Sequence, residues 1–522
     1  MALTKTHNRM IQDSAVNVKD YGAAGDGTTD DTTAITNAIN ASAGQSTFFP
    51  EGTYLVDTIT ISSASNYLLS LDTDAIIKHK DSATDVMLDF TSSSSTVRID
   101  GGVFDGNKDN QTALRGCIKF MSNNFDISNT TFQNISEFAL SGQSTSAQKF
   151  VTKDCKFVDG NFTDDYGSTD PCVFIQVYKR TFNKVEDCLF YGADHPSDRT
   201  KNPSAINFSG NAVTGTIIIR NNVLEDMGNS QGGSPTQAIK IYSYTDYCLI
   251  EGNEINNSPT QSIVVNTSNS LVVRNNKISY TDDIYALGGG NQSAISCDNN
   301  ERSYAGVPDN LGDWIIEGNS IVINTGGDAG GIHVSGGIVG DGEVRNITIS
   351  NNIMRAFVGV TEYAVLASMT CRNIKVAGNI IEGDWANGVR ITGGLYSGAT
   401  TPVPIVISNN IFDGQSSGVR INTSDTEFYG VINNNIFTNN SNMPIRIDGI
   451  ERAVVDGNAF NDNFTSEVVT PTKRNGEFKN MDYLAYTNNI GCISTGLYNL
   501  AGHSVTEWKV LGNESLTDNT NP

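Results

Sequence analysis

Val16–Ser42 reads VNVKDYGAAGDGTTDDTTAITNAINAS and joins three pieces of different character. It starts like a strand, passes through a turn crowded with glycine and aspartate, and ends in what reads as a helix. A glycine-rich turn between strand and helix can cradle phosphate. Here Gly22, Gly25 and Gly27 follow GxxGxG rather than GxGxxG, and no Gly-Lys-Ser/Thr comes after them, so nucleotide binding is not supported. Thr28-x-x-Asp31 fits a capping box, and Ala34, Ile35, Ala38 and Ile39 form one apolar stripe. The segment is therefore read as a short amphipathic helix with a structural task. Almost nothing after it is helical in pattern.

The rest of the chain is dominated by a repeat. A frame of polar residue, Gly or Asn, Asn, any residue, apolar residue recurs as RNNVL, EGNEI, RNNKI, EGNSI, SNNIM, AGNII, SNNIF, NNNIF and DGNAF. Its asparagines are Asn222, Asn253, Asn276, Asn319, Asn352, Asn379, Asn410, Asn435 and Asn458, and upstream the position holds Gly102, Thr130, Cys155 and Cys188. The intervals run from 23 to 43 residues, with nothing shorter. A hard minimum with variable excess marks a coil that must close and tolerates loops. Alternation of period two in GVRIT, GVRIN and PIRID makes the elements strands. Stacked coils set like residues above like at about 4.8 Å, which suits an asparagine ladder. The predicted fold is all-β: a right-handed, single-stranded parallel β-helix, the hand being the usual one for parallel crossovers. Leucine-rich and propeller repeats lack this frame. The apolar end of the first coil needs a lid, and the helix after Gly27 supplies it.

Composition agrees. The 522 residues include 50 Gly and 12 Pro, as expected of many short strands and tight turns. A net charge of −23 disfavours nucleic acid and anionic membranes, and no run of about 18 apolar residues would span a bilayer. The first ten residues, MALTKTHNRM, lack the apolar core of a signal peptide. The eight cysteines show no CxxC spacing, so buried free thiols are expected, with Cys155 and Cys188 stacked on successive rungs.

The opening segment, together with TFFPEGTYLV just downstream, resembles the start of pectate-lyase-like proteins, and NRMIQDSAVNVKDYGAAGDGTTDDT resembles phage tailspike and tail-fibre depolymerases. The specific match covers roughly residues 5 to 57 and the generic coils run to about 465. The resemblance implies a homotrimer, carried on a phage tail or baseplate protein and made in the host cytoplasm. It would act at the bacterial surface by binding and cleaving a polysaccharide. The domain reading is an attachment arm at 1–15, a cap at 16–60, the β-helix at 61–465, and a C-terminal cap or trimerisation segment at 466–522. A non-catalytic receptor-binding fibre is the second reading, and a cellular polysaccharide lyase or epimerase the third.

Chemistry is expected on the strand after the loop-bearing corner, where most excess residues fall. Aligned coil to coil, its outward column reads Lys119, Ser141, Gln176, Asn207, Lys240, Val264, Ser296, His333, Leu366, Arg390, Arg420 and Arg446. Two residues earlier stand small residues such as Ala294, Gly331, Ala364, Gly388 and Gly418, read as room for a glycan chain. A basic column in so acidic a chain suits an anionic polymer; the alternative is that these cations pair with loop carboxylates. For a lyase, His333 is the candidate base, flanked by Lys240 and Arg390. For a hydrolase, Asp298, Glu362 and Asp328 offer carboxylate pairs on adjoining rungs. Asp194, Asp198, Asp282, Asp283, Asp309 and Asp313 are loop alternatives. Arg420 extends the binding column, and Trp385 and Tyr285 are candidates for stacking on sugars. No cofactor is required and no metal ligand set is assigned; acidic loops leave room for Ca²⁺, without EF-hand spacing.

Overall fold

The computed structural model describes residues 15–42, 46–143, 147–160, 173–178, 180–192, 204–209, 214–226, 237–258, 261–280, 292–299, 310–324, 329–336, 343–368, 370–393, 403–423, 428–461, 463, 476–479, 481–490 and 505–511. The chain divides into two compact units, one of residues 1–246 with 253–259 and one of 247–252 with 260–522. Each is a stack of parallel β-coils with three strands per coil, so the protein is a parallel β-helix protein.

In the first unit, one sheet stacks Ser46–Phe49, Asn66–Leu71, Thr96–Asp100, Asn124–Ser128, Ala147–Lys153, Arg180–Glu186 and Thr214–Arg220. A second runs from Gly52–Val56 through Ala75–His79 and Val103–Asp105 to Glu254–Asn256. A third runs from Ile59–Ile61 through Ile118–Phe120 to the strand beginning at Gln237. The second unit repeats the plan. Its third sheet, which carries the candidate site, stacks Gln261–Arg274, Gln292–Asp298, Ala329–Ser335, Ile353–Ser368, Ile380–Gly393, Ser417–Thr423 and Ile445–Asp448.

The asparagine frame forms the predicted ladder. Asn352 donates its backbone N–H and its side-chain Nδ2 to Asn379 Oδ1, both at 3.0 Å, and Asn379 does the same to Asn410. The second Nδ2 proton of each goes to a main-chain carbonyl, as from Asn379 to Ile349. These amides are fully buried, so the ladder satisfies donors that would otherwise be costly. The residue before each rung takes a left-handed backbone, as at Asn221, Asn275, Asn351, Asn409 and Asn434. The frame also continues past 465. Asn458 bonds to Asn489, and strands Gly476–Lys479, Met481–Thr487 and Val505–Leu511 add in parallel. The boundary read at 465 thus falls within the stack; TNNI at Thr487–Ile490 is one more copy of the frame, 31 residues on.

The helix forms at Thr32–Ala41 and buries Ile35, Ala38 and Ile39 against Val16–Asn17, Val18–Tyr21 and Ile59–Ile61. The capping box does not form. Asp31 accepts instead from the N–H groups of Ala24 (2.6 Å) and Gly25 (3.0 Å), and Asp30 meets the first helical N–H, that of Thr32. Asp26 accepts from Thr28 N and Thr29 N, which holds its carboxyl well below the usual range. Gly25 has φ +63° and sits where a Cβ would lie 2.9 Å from the Tyr54 ring, so the glycine is required twice over. The motif that resembles a phosphate loop spends its N–H groups on its own aspartates.

Six described cysteines are free and buried, Cys155 and Cys188 among them. Stacked phenylalanines line the interior: the rings of Phe104, Phe132, Phe157 and Phe190 are successively 5.3, 5.1 and 4.7 Å apart. The small-residue column is not a groove floor. Ala294 and Ala364 are buried, and a Cβ on Gly388 or Gly418 would come within 2.6 Å of the Phe412 or Phe437 ring. Gly388 and Gly418 lie within strands Ile380–Gly393 and Ser417–Thr423 and face core rings, so the outward alternation read from the sequence does not extend to them.

Candidate functional site

The outward column is the one expected from the sequence. Pairing sets Val264, Ser296, His333, Leu366, Arg390, Arg420 and Arg446 on successive rungs of the second unit. Ile295, Cys297, Ile332, Val334, Val365 and Val389 point inward and are buried, which fixes the alternation. A second outward column, two residues on, aligns Asn266, Asp298, Ser335, Ser368, Thr392, Asn422 and Asp448.

Asp298 and His333 stand diagonally across these columns on adjoining rungs, near enough for each charge to act on the other. Asp298 Oδ2 accepts from Ser296 Oγ at 3.1 Å, and His333 Nε2 lies 2.9 Å from Ser368 Oγ. His333 is only 8% exposed although it points away from the coil interior. Burial raises the Asp298 carboxyl and the His333 charge opposes that rise; burial lowers His333 and the Asp298 charge opposes that fall. A carboxyl pushed up and an imidazole pushed down on adjoining rungs are suited to give and to take a proton respectively.

Tyr363 completes the cluster, and sequence reasoning misses it. Its ring lies 6.2 Å from that of His333 and its hydroxyl is 3.3 Å from Ser293 Oγ. It reaches back across Gly330, where a Cβ would stand 2.7 Å from the ring. The glycine pair before Ile332 is the signal that could have found it. Burial raises the Tyr363 hydroxyl to about 12, with Glu362, Asp298 and Arg390 all close enough to act on it. Glu362 is half-buried at this edge. Arg390 is half-buried on the column with its Nε enclosed and without a hydrogen-bond partner, and it makes no ion pair among the described residues. It is therefore a candidate to receive an anion. Arg420 stands on the next rung.

Other predicted residues fall elsewhere. Trp385 is 1% exposed and donates Nε1 to Glu382 O, so its indole is a core element and not a sugar platform. Lys240 belongs to the first unit, where its Nζ lies 4.2 Å over the Tyr242 ring and burial lowers its pKa. On the same column Lys119 comes within 4.0 Å of Asp89, the pairing expected of a merely solvated face. Asp313 is exposed and accepts from Asn346 at 3.1 Å, a surface turn. Asp328, Tyr285, Asp194, Asp198, Asp282, Asp283 and Asp309 lie outside the described residues, as do most of the corner loops read as walls. Among the described residues no group of three or more His, Cys, Asp or Glu is placed to hold a metal ion, and no helix is long and apolar enough to cross a membrane.

Residues 15–195 match the family described as rhamnogalacturonase A/epimerase, pectate lyase-like. A stretch of 62 residues is 49% identical to the plasmin and fibronectin-binding protein A of Streptococcus pneumoniae, covering 11% of this chain and 9% of that protein. The chain thus spans only a small part of the curated relative it matches. Among solved structures, the tailspike protein of E. coli bacteriophage HK620 in complex with a pentasaccharide is 14% identical, with 96% of this chain and 80% of that chain covered at a TM-score of 0.47. The A-module of a mannuronan C-5 epimerase from Azotobacter vinelandii is 12% identical over 97% and 98% of the two chains, with a TM-score of 0.24. Likenesses this loose carry no argument about activity. The family match is to the pectate-lyase-like group and covers the first coils of the chain.

Proposed function

We propose that this chain binds and cleaves a bacterial surface polysaccharide at the Asp298–His333 cluster. The observation that carries the reading is the diagonal pair of half-buried Asp298 and buried His333 on the outer face, on the same sheet as an Arg390 that pairs with no carboxylate among the described residues. On a uronate-bearing glycan, Arg390 would hold the carboxylate and neutral His333 would take the proton α to it. The electron pair left behind forms the ring double bond, the glycosidic C–O bond breaks, and the leaving oxygen takes the Asp298 proton. Hydrolysis is the variant in which Asp298 and Glu362 divide the acid and base roles. We assign the protein to a phage tail as a homotrimeric depolymerase on the strength of its opening segment.

The test is incubation with capsule or exopolysaccharide, monitoring reducing ends together with the ultraviolet absorbance of an unsaturated uronate. Reducing ends without the absorbance would replace elimination by hydrolysis. Asp298→Asn and His333→Ala should each slow turnover by roughly 10²–10⁴-fold without changing the melting temperature. Wild-type rates in both would remove the cluster from the mechanism. A native mass of three 56.0 kDa chains is expected, and a monomer would defeat the trimer. A second reading, adhesion without catalysis, is favoured by the 62-residue match to a plasmin and fibronectin-binding protein. Neither product signal on a glycan that the protein demonstrably binds would establish it.

A further inference from the structure

We propose that the first unit carries a separate binding groove for an acidic oligosaccharide, on the outer face of its first sheet. A cavity of about 500 Å³ opens there, lined by Ser46, Asn66, Leu68, Arg98, Asn124 and Lys149 with Thr96, Asp126 and Tyr67. Its volume is within the range of about 300–1,000 Å³ typical of small-ligand sites.

The lining is ordered by strand register. One column places Ser46, Leu68, Arg98 and Asp126 on successive rungs. The other, two residues earlier along each strand, places Asn66, Thr96, Asn124 and Lys149 on successive rungs. Side chains two apart share a face, so both columns look out together. Three rung steps of about 4.8 Å make the groove roughly 14 Å long, enough for a short run of linked sugars.

The chemistry of the lining points to the ligand. Two cations stand over one carboxylate: Lys149 Nζ is 2.9 Å from Asp126 Oδ1, and Arg98 Nε is 3.6 Å from Asp126 Oδ2. Arg98 is thus too far for a hydrogen bond, and its side chain is 66% exposed. Its guanidinium fork is unspent among the described residues, and such a fork matches a carboxylate with two parallel bonds. Asn66 offers an exposed amide and Ser46 a hydroxyl. Leu68, 40% exposed, provides an aliphatic surface for the C–H face of a sugar ring. A net positive groove in a chain of net charge −23 selects an anion locally, while the amides and hydroxyls select a polyol. The residues are distinct from the Asp298–His333 cluster, so this groove stands whether or not that cluster is catalytic.

The experiment is calorimetric titration of the 522-residue chain with trigalacturonate in an Asp298→Asn/His333→Ala/Arg390→Gln background, which removes turnover of the probe and the carboxylate contact proposed for the other site. Retained, salt-sensitive binding of one trigalacturonate per chain is expected. Adding Arg98→Gln and Lys149→Gln should weaken it roughly tenfold or more, the loss of two charge-assisted contacts. Leu68→Ala, a milder change at an exposed position, should weaken it severalfold, and all variants should keep the parent melting temperature. Unchanged affinity in the Arg98/Lys149 variant, or no binding in the background protein, overturns the groove. Equal binding of neutral maltotriose overturns the acidic assignment, and equal competition by sulfate reduces the site to an anion patch. Loss of turnover with groove binding intact concerns only the proposed function.

Discussion

The same turn is built in two ways along this chain. Where the first sheet hands over to the second, the early coils of the first unit place Gly102, Thr130, Cys155 and Cys188, and phenylalanines stack just inside. In the second unit the position is asparagine on every rung from Asn276 to Asn489, each amide bonded to the next. The residue before the turn is left-handed in both, as at Asn129, Asp154 and Asp187 in the first and Asn275, Asn351 and Asn409 in the second. The backbone geometry is thus the constant, and what secures it varies. Thr130 Oγ1 and Cys155 Sγ go to main-chain carbonyls, of their own turn (Ser128 O, Lys153 O) and of the coil before (Gly101 O, Ile127 O), whereas each asparagine side chain also binds the next asparagine. Bonds to carbonyls depend little on which side chain the neighbouring rung carries; a ladder makes the side chains depend on one another.

That difference sets the size of what substitution should do. Asn379→Leu strands the backbone N–H and Nδ2 of Asn352 as well as the carbonyl of Ile349, all buried. At about 1–3 kcal/mol per orphaned group the loss is roughly 4–6 kcal/mol. It should be read as faster unfolding in denaturant, and a loss near 1 kcal/mol would mean that the ladder adds little beyond turn geometry.

Next in size is the contrast between the histidines. His333 lies on the outer column of the second unit, while His79 of the first points inward and is fully buried, which lowers its pKa from 6.5 to about 4. The fold keeps His79 neutral, so its full contribution is present above pH 6.5. Below that the unfolded chain binds a proton that the fold refuses, and the contribution is lost as pH falls through about 4. The difference amounts to roughly 3 kcal/mol. His79→Leu should flatten the stability profile between those values; an unchanged profile would assign acid lability to other groups.

The smallest effect is expected at Cys155→Ala, about 1–2 kcal/mol, because its thiol makes only weak sulfur contacts, to carbonyls and to the Cys188 thiol, and a cavity of one sulfur remains. A cost equal to that of Asn379→Leu would erase the distinction between the two turns.

Much of the fold is legible in the sequence because it is written by repetition. The interval floor, the frame and the alternation each test the same coil, and the outward column aligns from sequence alone. Expectation fails where repetition gives way to local geometry. The capping box fits the spacing at Thr28 and Asp31, but N–H groups converging from the glycine turn claim Asp31 first. Gly388 and Gly418 fit an outward alternation by position in sequence, but within their strands they face core rings. Trp385 has loop-like neighbours in sequence, yet those neighbours are strand. At the candidate site, His333 and Asp298 are readable from the column, whereas Tyr363 is not: the Gly330–Gly331 pair signals that something packs there, but nothing in sequence spacing names the ring that reaches back from the next rung.

The ladder also bears on how such a molecule can change in length. Asn410 and Asn435, 25 residues apart, present the same acceptor to the rung before and the same donors to the rung after. Removing Ile411–Asn435 would bring Asn410 against Asn458 with every amide again matched, and duplicating it would add a rung on the same terms. Whole turns are therefore interchangeable units, whereas a fractional turn leaves the chain out of phase. The number of turns in the second unit can then be tuned by genetic duplication or loss, one residue of the outward column, here Arg420, going with each turn.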